Sequence, residues 1–173
     1  PDMTPHMSID VQLLAEAADF LLEEAACLDQ RRWDDWLALY ETDCVFWLPA
    51  WDDDDVLNED PDTQLSLIYL DGKERLEERI WRIRSGLSSS LLRMPRVTHL
   101  VTSVRLAGQR DGLQLVTANF QTNAFKHDEK RVDFFFGTYQ YALRRRAQGF
   151  GIVHKKVVVN NDVIPRQLDV FSV

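Results

Sequence analysis

The second half of the chain consists of strand-forming segments joined by short connectors, and this pattern constrains the fold more than any other feature. Four segments after Pro95 are rich in Val, Thr, Phe and Tyr, as β-strands are: residues 97–107, 113–126, 132–146 and 151–164. The connectors at 108–112 and 147–149 contain glycine and have the composition of tight turns. Because short connectors join strands that are neighbours in a sheet, we expect sequential antiparallel pairing.

The first half of the chain has the apolar spacing of helices. Ser8 is a suitable N-cap, and apolar residues at helical intervals predict a helix over residues 9–30. The same spacing predicts a short second helix over residues 33–40 and a third over 73–84. Between them, residues 45–48 have the apolar composition of a short buried strand.

Helices followed by a meander of strands indicate an α+β domain, in which a strongly curved antiparallel sheet wraps over the N-terminal helices. We expect residues 1–173 to form a single domain, because a chain of this length with 45% hydrophobic residues can bury one sizeable core but hardly two. Residues 1–7 are expected to be a disordered tail.

The charge of the chain disfavours one class of partner. A formal net charge of -8 and a pI near 4.9 repel the phosphate backbone, so we expect no nucleic-acid binding.

No run of about 18 apolar residues is present, so no membrane span is predicted. Residues 1–7 lack the pattern of a secretion signal. A cytoplasmic location, with Cys27 and Cys44 as free thiols, is therefore expected.

A series of segments between residues 46 and 69 is highly distinctive: Phe-Trp-Leu-Pro-Ala-Trp-Asp-Asp-Asp-Asp, then Asn-Glu-Asp-Pro, then Leu-Ser-Leu-Ile-Tyr. This series resembles the small (β) subunits of bacterial aromatic-ring-hydroxylating dioxygenases of the benzoate and anthranilate group. The similarity extends to further segments in the same order: residues 28–37, 76–84, 95–99 (Pro-Arg-Val-Thr-His) and 157–162. It covers the chain from about residue 10 to its end, which makes coincidence improbable.

The resemblance implies the cystatin-like fold, also called nuclear-transport-factor-2-like, which agrees with helices followed by a meander. It further implies an α3β3 hexamer of three large and three small subunits. In such an assembly the large (α) subunit carries the Rieske 2Fe–2S cluster, the mononuclear Fe(II) and the substrate pocket. A separate reductase supplies electrons from NADH, and an aromatic carboxylate such as benzoate or anthranilate is converted to a cis-dihydrodiol. This chain would be a structural subunit without catalytic residues or cofactors, and the identity of the oxidised ring stays open.

The residues themselves support that expectation. Cys27 and Cys44 have roughly the separation of a Rieske motif, but Asp29 and Trp47 stand where the accompanying histidines are needed. The four histidines, at positions 6, 99, 127 and 154, form no spaced ligand motif for mononuclear iron. We therefore predict no metal on this chain.

Two alternatives remain open. The same fold in isolation can form a pocket used by small lyases and isomerases, and in that case His99, with Asp35 and Tyr40, would be the acid–base group. A ligand-binding or adaptor protein without an enzyme is the other alternative. The more conservative interpretation of His99, which falls inside an apolar strand, is a core or interface histidine with a hydrogen-bond partner.

We expect one loop to contact another chain. Residues 51–63 contain seven acidic residues, four of them adjacent: Asp52, Asp53, Asp54 and Asp55. Adjacent carboxylates repel one another and are stabilised by basic groups of a partner, and Trp51 beside them is of a type enriched at interfaces. Arg96 and His99, in the Pro-Arg-Val-Thr-His segment, are predicted as further interface residues.

Overall fold

The computed structural model describes residues 9–86, 94–161 and 168–173. Ser8 and the predicted tail therefore lie outside the described residues. The described residues form three α-helices, α1 (Val11–Asp29), α2 (Trp33–Ala38) and α3 (Lys73–Ser85). The N-cap of helix α1 is Asp10 and not the predicted Ser8, because the Asp10 carboxylate accepts a hydrogen bond from the backbone N–H of Leu13, the usual N-cap contact.

Within the same described ranges, six strands form one sheet. Their bounds are β1 (Tyr40–Pro49), β2 (Ser66–Asp71), β3 (Arg96–Arg110), β4 (Leu113–Lys126), β5 (Arg131–Arg145) and β6 (Phe150–Val159). The spatial order is β2-β1-β6-β5-β4-β3. Strands β3 to β6 pair sequentially and antiparallel, as predicted, and a 3-10 helix at Val170–Ser172 follows the sheet.

The predicted α+β class and the curved sheet wrapped over helices are confirmed. Strand β3 contributes to the curvature, because its register against β4 shifts twice, between Thr102 and Arg105 and between Leu106 and Gln109. Helix α1 packs across this strand. No helix in the described ranges is both long and apolar enough to cross a bilayer.

Three details of the prediction were wrong. Strand β1 begins at Tyr40, so this residue is not in the second helix, which ends at Ala38. Strand β1 pairs antiparallel with β2, which was not predicted, and parallel with β6, so the sheet is mixed. Strand β6 ends at Val159, short of the predicted 164, because beyond this point the backbone N–H of Phe136 on β5 donates to the side chain of Asn161 instead of to the backbone of β6.

Candidate functional site

A buried ion pair lies at the centre of the fold, between helix α1 and strand β6. Glu24 is 2% exposed and Lys155 is 1% exposed, and the Lys155 Nζ atom lies 3.0 Å from Glu24 Oε1. The Tyr40 hydroxyl donates to the same oxygen and the Tyr141 hydroxyl to Oε2, each at 2.6 Å. One carboxylate thus accepts hydrogen bonds from strands β1, β5 and β6 and fixes all three against the helix.

The ammonium group of Lys155 is enclosed by aromatic rings. Its Nζ atom lies 4.3 Å from the ring centre of Tyr139, 5.4 Å from that of Tyr141 and 5.6 Å from that of Phe46. Cations are attracted to ring faces, and the attraction strengthens away from water. The space around the Lys155 ammonium is therefore occupied by aromatic side chains of the protein itself.

The ionisation of this cluster follows from its surroundings. Burial alone would raise the pKa of Glu24, but Lys155 and the two hydroxyl donors stabilise the carboxylate and hold its pKa below the ordinary value. Burial, together with the Glu24 charge, raises the pKa of Tyr40 and Tyr141 well above the ordinary value. The two phenols therefore remain protonated donors to a charged carboxylate.

A second buried contact joins helix α1 to strand β3. The Nδ1 atom of His99 lies 2.6 Å from Asp29 Oδ1, and the backbone N–H of His99 donates to both carboxylate oxygens at 3.2 and 3.1 Å. The imidazole is 1% exposed, and its Nε2 atom has no hydrogen-bond partner among the described residues. This geometry assigns the ring proton to Nδ1 and ties the end of the helix to the sheet.

The acid–base group considered for a lyase is not brought together. Asp35 is exposed and pairs with Arg32 at 2.9 Å. The Tyr40 hydroxyl is bonded to Glu24, and His99 is bonded to Asp29. Each of the three candidates therefore has a different partner, and the buried position of His99 agrees with the expectation of a core histidine.

The residues that sequence reasoning missed are Glu24, Asp29 and Lys155. A weak signal was available for two of them. Glu24 lies on the apolar face of α1, three residues after Leu21 and four before Leu28. Lys155 alternates with valines on the inward side of β6. A charged residue at an apolar position of each element indicates a buried pair, although the pattern does not say which two charges meet.

The acidic loop is folded around its first aspartate. Asp52 Oδ1 accepts hydrogen bonds from the backbone N–H groups of Asp54 and Val56, at 3.0 and 2.8 Å. The Trp51 indole donates to the carbonyl of Val159 at 2.7 Å, which anchors the loop to the sheet. Asp52 to Asp55 are all exposed, and within the described part of the chain no basic group lies within 4.0 Å of their carboxylates. Trp51 thus has an internal role, while the carboxylates face solvent.

The remaining candidates lie on the surface. Arg96 is exposed, and its guanidinium lies 5.8 Å from the ring centre of Phe125. His127 is exposed in the turn before β5. His154 is half-buried beside the Trp47 ring, and burial lowers its pKa. His127 lies beside the Phe125 ring and His154 beside the Trp47 ring, so the two histidines have different neighbours.

The positions considered for a Rieske centre have other roles. Cys27 and Cys44 are buried free thiols, and burial raises the pKa of each to about 11. Asp29 holds His99, and the Trp47 indole donates to the Ser66 hydroxyl at 2.9 Å. In the ranges that the structure covers, no three His, Cys, Asp or Glu side chains are grouped so as to hold a metal ion.

Several known proteins resemble this chain in sequence and in fold. The family model described as "Ring hydroxylating beta subunit" matches residues 23–166. The chain is 40% identical to the β subunit of toluate 1,2-dioxygenase from Pseudomonas putida, over 90% of this chain and 94% of that protein. It is 38% identical to the small subunit of 2-halobenzoate 1,2-dioxygenase from Burkholderia cepacia, over 89% and 92% of the two chains.

A solved structure agrees with both matches. The crystal structure of the β subunit of benzoate 1,2-dioxygenase from Burkholderia mallei superimposes with a TM-score of 0.77 at 31% identity, covering 96% of this chain and 99% of the other. Sequence and fold agree over nearly the whole length of each relative. The chain belongs to the family of ring-hydroxylating β subunits.

Proposed function

We propose that this chain is the structural subunit of a multicomponent dioxygenase that cis-dihydroxylates an aromatic carboxylate. The observation that carries the proposal is the near full-length match to β subunits of toluate, 2-halobenzoate and benzoate dioxygenases. All three names specify a ring bearing a carboxylate. The substrate of this system is therefore expected to be a benzoate, with the choice among substituted benzoates made by another chain.

The partner in this proposal is the large (α) subunit. It would carry the Rieske cluster, the mononuclear iron and the substrate pocket, and it would receive electrons from NADH through a reductase. We propose an α3β3 hexamer, in which this chain supplies a rigid platform. The buried network around Glu24 and Lys155 supports that role, because hydrogen bonds from three strands to one carboxylate on helix α1 make this part of the fold rigid. The free thiols Cys27 and Cys44 are consistent with the reducing cytoplasm.

Metal analysis tests the division of labour. We expect the purified chain to contain no iron and to show no visible absorption. The complex with its large subunit should contain iron and absorb visible light. The expectation rests on the internal contacts of Asp29 and Trp47, which occupy the positions where cluster ligands are needed. Stoichiometric iron with a Rieske-type spectrum in the isolated chain would contradict the proposal.

The acidic loop is proposed as a contact between this chain and the large subunit. The double substitution Asp53→Asn/Asp54→Asn removes two exposed charges and leaves Asp52, which holds the loop together, unchanged. We expect affinity for the large subunit to fall about tenfold at low salt, since each exposed charge pair contributes up to about 1 kcal/mol. Dioxygenase turnover of the reconstituted complex should fall in parallel, and the isolated variant should stay folded.

A matched control is available on helix α3. Glu74 and Glu77 are exposed, so Glu74→Gln/Glu77→Gln changes the net charge by the same amount at another place. We expect this control to assemble like the natural chain. Equal affinities of both variants and the natural chain at low salt would show that the loop is only a solvated surface.

A further inference from the structure

The outer face of strands β3, β4 and β5 is a regular array of side chains. Residues directly opposite each other on antiparallel strands point to the same face. Five such rows cross the three strands: Arg96, Phe125 and Val132; Thr98, Asn123 and Phe134; Leu100, Gln121 and Phe136; Thr102, Asn119 and Thr138; and Arg105, Thr117 and Gln140. We call these fifteen positions the outer face.

Large apolar side chains are exposed on the outer face. Val132 is 56% exposed, Phe134 and Leu100 are each 51% exposed, and Phe136 is 40% exposed. The rings of Phe134 and Phe136 stack with their centres 6.3 Å apart. Adjacent exposed aromatics on one strand mark an interaction surface more than isolated apolar residues do.

The outer face carries few charges. Charged residues make up 28% of the chain, yet only two of the fifteen positions are charged, Arg96 and Arg105, and the Arg96 guanidinium lies over the Phe125 ring. The polar positions carry hydroxyl or amide groups, which donate and accept hydrogen bonds equally well. Depletion of charge with enrichment of aromatic residues characterises the buried centre of interfaces.

The outer face is also a rigid platform. The Asn161 side chain accepts from the backbone N–H of Phe136 at 2.9 Å and donates to the carbonyl of Phe134 at 2.8 Å, which completes the hydrogen bonding of this part of β5. On the inward side the alternate residue Phe135 is buried. A surface held in this way loses little conformational entropy on association.

We propose that the outer face packs against a second copy of this chain. Every copy carries a net charge of -8, so repulsion between copies is smallest where the contact surface carries few acidic groups, as on the outer face. A ring of three copies needs a heterologous contact, in which the outer face of one copy meets a different patch of the next, and hydroxyl and amide groups suit such a contact because each can take either role in a hydrogen bond. The inference rests on the proposed hexamer and names the surface through which its three small subunits meet, while the acidic loop remains free for the large subunit.

Sedimentation of paired charge variants tests this assignment. Phe134→Lys/Phe136→Lys places like charges on the outer face of every copy, at positions already exposed to solvent. Leu22→Lys/Trp81→Lys is the matched control, because these residues are 51% and 61% exposed on helices α1 and α3. We expect the natural chain and the control to sediment at three times the 20.1 kDa chain mass and the outer-face variant as a monomer.

Other outcomes separate this inference from the proposed function. The inference would be overturned if copies of the natural chain do not associate with one another, either alone or in the complex with the large subunit. It would also be overturned if the outer-face variant sediments at the same mass as the natural chain. A variant that self-associates but no longer binds the large subunit would overturn it as well, since that result assigns the face to the other partner. If the natural chain binds no large subunit at all, the proposed function fails. The sedimentation masses of the two variants would still show whether copies of this chain associate through the outer face. Circular dichroism of each variant verifies folding.

Discussion

Replacing Lys155 with Met is expected to destabilise the chain by about 3–5 kcal/mol, because it leaves the Glu24 carboxylate buried without its counter-charge. Glu24 is 2% exposed and keeps only the two tyrosine hydroxyls as donors in this variant. Methionine has nearly the length and flexibility of the lysine stem, so the space inside the aromatic rings stays filled. Urea denaturation of both proteins at neutral pH gives the difference in unfolding free energy.

The double variant Glu24→Gln/Lys155→Met is the control for this interpretation. It removes both charges, while the amide that replaces the carboxylate still offers an oxygen to a tyrosine hydroxyl, so it should be more stable than Lys155→Met alone. The coupling between the two positions then measures the ion pair itself. If the effects of the two single substitutions simply add, the pair contributes nothing beyond its packing.

Protonation of Glu24 should change the unfolding free energy of the two proteins in opposite directions. In the natural chain the pKa of Glu24 lies below its ordinary value, so its contribution is present at neutral pH and is lost as the pH falls through the folded-state pKa. In Lys155→Met burial acts without the counter-charge and raises that pKa, so acidification relieves the penalty. The stability gap between the proteins should therefore narrow from pH 7 towards pH 5, and a gap that widens would contradict the proposed charge state.

Local pattern accounts for what the sequence predicts well. Strands β3 and β4 were predicted within a few residues, because alternation along a strand and turn residues between strands are local signals. Strand β2 and the parallel pairing of β1 with β6 were not predicted. Strand β2 is too short for a clear periodic pattern. Strands β1 and β6 are distant in the chain, and periodicity within a strand does not indicate which strand it pairs with.

The same limit explains the missed side-chain contacts. Glu24 and Lys155 are 131 positions apart, and Asp29 and His99 are 70 apart. The position of Glu24, Lys155 or His99 among apolar residues indicates burial but names no partner, and only the assembled sheet brings the partners together. The two surfaces proposed as interfaces differ in how far the sequence predicts them. The acidic loop is a continuous segment that the sequence shows directly, whereas the outer face is formed only when three strands align.

A glycine on β5 provides the last test of how the sheet is held together. A methyl group at Gly137 would overlap the backbone carbonyl oxygen of Val158 on β6, which cannot move without separating the two strands. We expect Gly137→Ala to destabilise the chain by about 3 kcal/mol, the upper end for overpacking. Because Phe136 precedes it on β5, the same substitution should also weaken association through the outer face.

The control is a second glycine whose neighbour can move. At Gly151 the added methyl group would meet the ends of two flexible side chains, Glu41 and Arg146. These can rotate away at the loss of two partly exposed ion pairs, those of Glu41 with Arg146 and with Arg144, each worth about 0–1 kcal/mol, so Gly151→Ala should destabilise the chain by only about 1 kcal/mol. Both glycines face a close neighbour, and only the kind of neighbour differs. Equal unfolding free energies for the two variants would mean that β5 and β6 can separate at little cost, and the rigid platform inferred for the outer face would then lack its support.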